Sequence, residues 1–319
     1  MQLKQLFITD PLRPSRLLFL VRPLLAILLL SCGMVSCKKS ENLGDPSQIV
    51  GLGGDTSVPT AIDKWISDSL TTPYNISVQY KWDQADLDLS KTLVPPIESQ
   101  IVPVMGAIKK VWIDTYVAEA GLDFFKKLCP KYFILAGSPS YNVDGTITLG
   151  TAEGGRKIVL YVLNYFRIKG MPGFVPSDSV IAKMQFHTIE HEFGHILHQN
   201  VLYPVAFKSI DAGFYTANWN NVSDAVANED GFISAYAMSA YDEDFVEMIS
   251  IMLTEGRDGF DRIVNGITQT SPNGTSPATA QSRLRQKETI VVNYFKDIWN
   301  IDFYALQTLV RAQIVALTQ

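Results

Sequence analysis

The chain has 319 residues, 47% of them hydrophobic and 18% charged, with a formal net charge of −5 and a mean hydropathy of +0.09. That is enough apolar side chain for a sizeable core, so disorder over the whole length is excluded. There is no basic surplus, which excludes a nucleic-acid groove or a patch for acidic lipid.

The first segment in chain order differs from the rest. Lys4, Arg13, Arg16 and Arg22 precede the apolar run LLAILLL at 24–30, too short to span a bilayer but suited to a secretory h-region. Residues 1–36 are therefore expected to be an export signal. Cys32 follows LLS and Cys37 follows MVS; the second setting resembles a bacterial lipobox, and the polar tract KKSENLGDPSQ begins straight after it. Cys37 is thus favoured over Cys32 as the lipidated residue. Residues 37–58, polar and Gly-rich, read as a flexible tether. The third cysteine, Cys129, then has no intrachain partner, so the folded part must be held by its core alone.

Folded structure is expected from Pro59. AIDKWISDSL (61–70) reads as a short helix, NISVQYKW (75–82) alternates like a strand, and 98–121 carries apolar residues at helical spacing. Strand-like stretches follow: YFILAG (132–137), TITLGTA (146–152) and RKIVLYVLNYF (156–166). From Ser179 the pattern is mostly helical, interrupted by a loop-rich stretch at 203–232 and the turn-rich SPNGTSP at 271–277. Helices at 279–298 and 302–317 read as packing elements. No internal repeat appears, so one α+β domain over 59–319 is expected, with an N-terminal lobe of about 59–199 and a helical C-terminal lobe of about 200–319.

All four histidines of the chain lie in HTIEHEFGHILH, 187–198. Pro176, Ser177 and Asp178 signal a helix start, and Ile181, Met184, Ile189, Phe193 and Ile196 recur at helical steps, so 179–199 reads as a core-packed helix. At about 100° per residue, His187, His191, His195 and His198 fall within roughly 80° of its circumference. His191 and His195, one turn apart, can both reach one ion. Glu192 is turned about 100° from His191, where it reaches a water on that ion without ligating it. This is the HExxH arrangement of zinc metallopeptidases. Gly194 in mid-helix costs about 1 kcal/mol against alanine, and a close approach of backbone or ligand is a reason to keep it. For His187 and His198 two readings stay open: support or lining of the site, and a plain polar role at its end.

A zinc site needs a third protein ligand. The metzincin extension would place Gly at 198 and His at 201, where this chain has His198 and Val201. No histidine remains downstream, so a carboxylate on a second helix is expected, from Glu229, Glu243, Asp244, Glu247 and Glu255. Glu243 and Glu247 are i and i+4 on a helix running to about Leu253. Glu243 is expected as the ligand, with Glu247 accepting the free N–H of a ligating histidine; the opposite assignment stays open. Asp244 is expected to face elsewhere and be solvated, or to cap the helix with Asp242. Tyr215 and Trp219 are candidate cleft walls.

HEFGH followed by EDFVE resembles the gluzincins, among them the anthrax lethal factor catalytic domain type, in which a tyrosine seven residues before the ligand glutamate faces the zinc. That position is Tyr236 here, with Tyr241 as its rival. The lipobox, SAYAMSAYDEDFVEM and QKETIVVNYFKDIWNID resemble the zinc-binding metallopeptidase lipoproteins of Bacteroidetes, described as substrate import-associated zinc metallohydrolases because they occur beside outer-membrane nutrient importers. The resemblance implies a zincin-like α+β fold, with a small mixed sheet packed on an HExxH active-site helix and a mostly helical C-terminal lobe. It implies Zn²⁺ as cofactor, a peptide or protein substrate, a lipid anchor in the bacterial outer membrane, and an importer as partner.

Zinc chemistry then sets the expected mechanism. The metal lowers the pKa of a bound water to about 7, Glu192 takes its proton and returns it to the leaving amine, and Tyr236 helps hold the oxyanion. For the strand at 156–166 two readings stay open: the cleft edge against which a peptide aligns, and an interior strand. Two alternatives remain: a zinc amidase acting on a non-peptide amide, and a non-catalytic zinc-binding accessory lipoprotein, against which Glu192 counts.

Overall fold

The computed structural model describes residues 58–143, 145–153 and 156–319. The expected export signal, Cys37 and nearly all of the tether lie outside these residues.

Helix α1 (Ala61–Ile66) starts where Thr60 and Asp63 satisfy each other: Thr60 Oγ1 accepts the Asp63 N–H at 3.1 Å and the Asp63 carboxylate accepts the Thr60 N–H at 2.9 Å. It continues through a widened turn (Ser67–Thr71) and a last turn that ends at Asn75 in the left-handed region (φ 58°). The long helix expected over 98–121 is α2 (Glu98–Ile108) and α3 (Asp114–Ala120), joined by a widened segment (Lys109–Ile113). Its apolar positions, Ile101, Val104, Ile108, Trp112 and Tyr116 among them, are fully buried. A short helix α4 (Leu122–Leu128) follows.

The sheet has the order β1-β2-β6-β5. Strands β1 (Ser77–Gln79), β2 (Tyr132–Leu135) and β6 (Lys157–Leu160) are mutually parallel, and β5 (Gly150–Glu153) closes the row antiparallel to β6. YFIL and KIVL read as unbroken apolar runs because both faces of the sheet are covered. Phe133, Leu135, Ile158 and Leu160 enter the main core, while Ile134 and Val159 turn to a smaller cluster with Leu87 and Ala136.

Of the two readings of 156–166, the structure excludes the cleft edge and bears out the interior strand. Strand β6 lies inside the sheet and stops at Leu160, because the chain turns at Val162 (φ 69°), an uncommon conformation for a β-branched residue. The N–H groups of Leu163 and Asn164 then bond the carbonyls of Ala136 and Gly137. The edge is β5, from the 146–152 stretch, whose first part instead forms β4 (Ile147–Thr148), paired with β3 (Ser140–Tyr141) in a small hairpin.

Asp178 accepts the Val175 N–H at 3.0 Å and leads into α5 (Ser179–Asn200). Phe186, Ile189, Phe193, Ile196 and Leu197 bury its core side. Two glycines set its neighbours. A Cβ on Gly150 would stand 2.4 Å from Thr188 Cγ2, so the edge strand lies directly against α5, and a Cβ on Gly194 would stand 3.1 Å from Val246 Cγ1.

Val246 belongs to α8 (Tyr241–Asn265), whose first turn carries Asp242, Glu243 and Asp244, signs that suit a helix N-terminus. This helix runs past Leu253, bending at Gly256 (φ 70°). The carbonyls of Met252 and Thr254, just before the bend, accept from Gln307 Nε2 at 2.7 Å and an Arg311 guanidinium nitrogen at 2.8 Å. Between α5 and α8 lie the short helices α6 (Ala206–Ile210) and α7 (Asp224–Asp230) and two 3-10 turns, Trp219–Asn221 and Tyr236–Ser239. Helices α9 (Pro277–Trp299), with Pro277 in its first turn, and α10 (Phe303–Thr318), capped by Asp302, pack on α8 as expected. One buried cluster takes side chains from Ile66 to Ile314.

Candidate metal centre and cleft

Helix α5 carries the histidines in a row, and the first two turns of α8 set Glu243 and Glu247 opposite them. His191 Nε2 lies 3.2 Å from His195 Nε2 and 3.1 Å from Glu243 Oε2, and His195 Nε2 lies 3.3 Å from that same oxygen. Zinc bonds of about 2.0–2.1 Å in tetrahedral directions set donor atoms about 3.3 Å apart, so this triangle has the size a zinc ion requires. Its electrostatics ask for a positive charge at the centre. Burial works against a charged His191, but Glu243 and Glu247 on its two nitrogens push it up to about 10. Burial likewise opposes a charged Glu243, and the two imidazoles nonetheless hold it well below the usual carboxylate range.

Glu247 sits on the other nitrogen. Its Oε1 is 2.8 Å from His191 Nδ1 and 2.8 Å from His187 Nε2, and its Oε2 accepts from Ser234 Oγ at 2.6 Å. Of the two glutamates, Glu243 is thus the one beside both Nε2 atoms, and Glu247 the one behind His191. On the far side, His195 Nδ1 faces His198 Nε2 at 3.0 Å. His198 is buried edge-on against Tyr203 and Phe245, and burial pushes it below its ordinary value.

Asp244 faces away from the triangle as expected, but the expectation that it is solvated or caps the helix is overturned. It is fully buried, 2.6 Å from Lys287 Nζ, and accepts from Tyr215 Oη at 2.9 Å. One residue past Glu243 the helix has turned by about 100°, which points Asp244 at α9 and its buried Lys287, also paired with Asp211. Burial pushes Asp244 up to about 6, with Lys287 opposing. Tyr215 is thereby engaged with Asp244. Asp242 is half exposed and accepts from Tyr203 Oη. Of the remaining carboxylates considered, Glu255 pairs with Lys183 and Glu229 borders a separate hollow with Arg262.

Residues 55–304 match a protein family described as putative zinc-binding metallo-peptidase. The chain belongs to this family. It is also similar to the crystal structure of a putative zinc-binding metallo-peptidase from Bacteroides caccae ATCC 43185. The identity is 30% and the TM-score 0.63, over 79% of this chain and 91% of that one. No curated protein matches.

In this member of the metallo-peptidase family two hollows meet at the triad, of about 420 and 480 Å³. Both are lined by Thr148, Gly150, His191, Glu192 and Tyr236. The first adds Ile147, Leu149, His187 and Trp219; the second adds Thr151, His195, Gln199 and Glu243. The β5 edge and the β3–β4 hairpin therefore form one wall.

Tyr236 stands with its ring 5.7 Å from that of His191 and 4.9 Å from Trp219. Burial, with Glu243 beside it, pushes its phenol above the ordinary range. Tyr241 packs on Tyr215 at 4.3 Å and lines neither hollow. Nothing in the sequence marked Ser234 for the site, and the strand-like 146–152 stretch carried no sign of its place at the cleft, since both depend on where the chain returns.

Proposed function

We propose that the chain is a zinc-dependent peptidase of the HExxH, gluzincin type, with His191, His195 and Glu243 holding the metal and Glu192 as general base. The observation that carries this reading is the triangle of donor atoms 3.1–3.3 Å on a side, set in a cleft walled by the edge strand β5. Zinc bound there supplies a Lewis acid and acidifies water to a pKa near about 7.

The chain's own side chains do the rest. Glu192, partly exposed where the two hollows meet, takes a proton on its carboxylate from the attacking water and delivers it to the leaving amine. Tyr236, kept neutral by its raised pKa, offers its O–H to the carbonyl oxygen as negative charge develops there. Glu247 holds the His191 ring through Nδ1. An extended peptide adds as a strand along β5, with an apolar side chain seated among Ile147, Leu149 and Trp219. The same proposal includes a membrane anchor at Cys37 and service to an outer-membrane importer, supported by the n-region, the LLAILLL run, MVSC and the family resemblance in the sequence.

Metal content and cleavage of a quenched peptide library by the wild type and Glu192→Gln test it. Both proteins should hold about one zinc per chain, with cleavage by the variant down at least about 100-fold. Zinc in both with cleavage by neither would shift the reading to another amide substrate or to a binding role. Absence of zinc would sink the metal reading.

A further inference from the structure

We propose that His198 is a positioning residue for the metal centre: its Nε2 accepts the Nδ1–H of His195 and so holds that ring with Nε2 turned to His191 and Glu243. This rests on the zinc reading above.

A histidine that offers Nε2 to a metal carries its proton on Nδ1, and that N–H needs an acceptor. For His191 the acceptor is Glu247 Oε1, at 2.8 Å. For His195 it is His198 Nε2, at 3.0 Å, three residues on along the same helix. An accepting Nε2 places the His198 proton on Nδ1. That nitrogen is buried and has no hydrogen-bond partner among the described residues.

An enclosed N–H without an acceptor is destabilising, because its bond to water is lost and not replaced. The ring of His198 sits edge-on between Tyr203, at 5.7 Å, and Phe245, at 6.3 Å. A phenylalanine would fit those surroundings without that cost. Position 198 therefore carries a histidine at the expense of stability, and the contact that explains it is the one with His195. The four clustered histidines then divide into two that hold the metal, one on Glu247 and one on His195.

The test is zinc affinity by chelator competition, together with the melting temperature of the metal-free protein, on the full chain. His198→Phe, and His198→Leu as a smaller apolar replacement, should bind zinc about 10–100-fold more weakly while the metal-free melting temperature holds or rises. His198→Gln, whose Oε1 can accept where Nε2 does, should stay within about threefold of wild type, well short of the about 10–100-fold seen on losing such a partner.

Apolar variants that keep wild-type affinity, or that lose affinity only in step with metal-free stability, would overturn the role. So would a Gln variant as weak as they are. A wild type that binds no zinc overturns the metal reading itself, an outcome distinct from any of these affinity patterns.

Discussion

Glu190 and Glu192 flank His191 on one helix and meet opposite fates. Glu192 opens on the cleft, whereas Glu190 is wholly buried, accepts from Tyr116 Oη at 3.0 Å and is pushed up to about 8 by burial, with Tyr116 opposing. In the unfolded chain the same carboxyl titrates near its ordinary 4.5. Between these values the folded protein holds a proton that the unfolded chain releases, so stability falls as pH rises through that window. Glu190→Gln removes the group that titrates. Its advantage in melting temperature over wild type, measured with chelator present, should grow from pH 5 to pH 8 and level off above. The common face of His191 and His195 and the nearby placing of Glu192 could be read at this scale because spacing on one helix states which side chains lie together. The contact between His195 and His198 depends on which nitrogens face each other, and letters do not state that.

Among the elements, the close pairing of α5 with α8 places Glu243 beside the histidines. Gly194 is the point of contact: a methyl there gains up to about 1 kcal/mol of helix propensity but crowds Val246 at 3.1 Å, and such overpacking costs about 1–3 kcal/mol. Gly194→Ala should therefore lower stability in urea unfolding. In a Val246→Gly background, which removes both the Cγ1 at 3.1 Å and the Cβ at 3.2 Å, the same change should raise it, and the reversal of sign is the check. Long helices were legible because apolar residues recur every three to four positions over several turns. The sheet was less so. An apolar run such as KIVL reads alike in an interior or an edge strand, so the place of β6 stayed open, and the two-residue strands of the β3–β4 hairpin are too short to show any period.

For the whole molecule, the proposed ligands come from two helices far apart in the chain, so a metal held by His191, His195 and Glu243 joins them in the folded state and has no such site in the unfolded one. Free zinc at about 1,000 times its dissociation constant should then add about 4 kcal/mol to stability. Chelator should lower the melting temperature of the wild type and leave that of Glu243→Ala nearly unchanged, which calorimetry can check. The sequence by itself determined an α+β chain with a histidine-bearing helix, a second acidic helix and helical packing elements at the C-terminus, because helical spacing and capping act over neighbouring residues. Only the tertiary structure decided that β5 is the cleft edge, that Glu243 and Glu247 take different nitrogens of His191, that Asp244 turns inward to Lys287, and that Tyr236 rather than Tyr241 faces the site. Each of these is a contact between residues distant in sequence, settled by how elements pack and not by any local pattern.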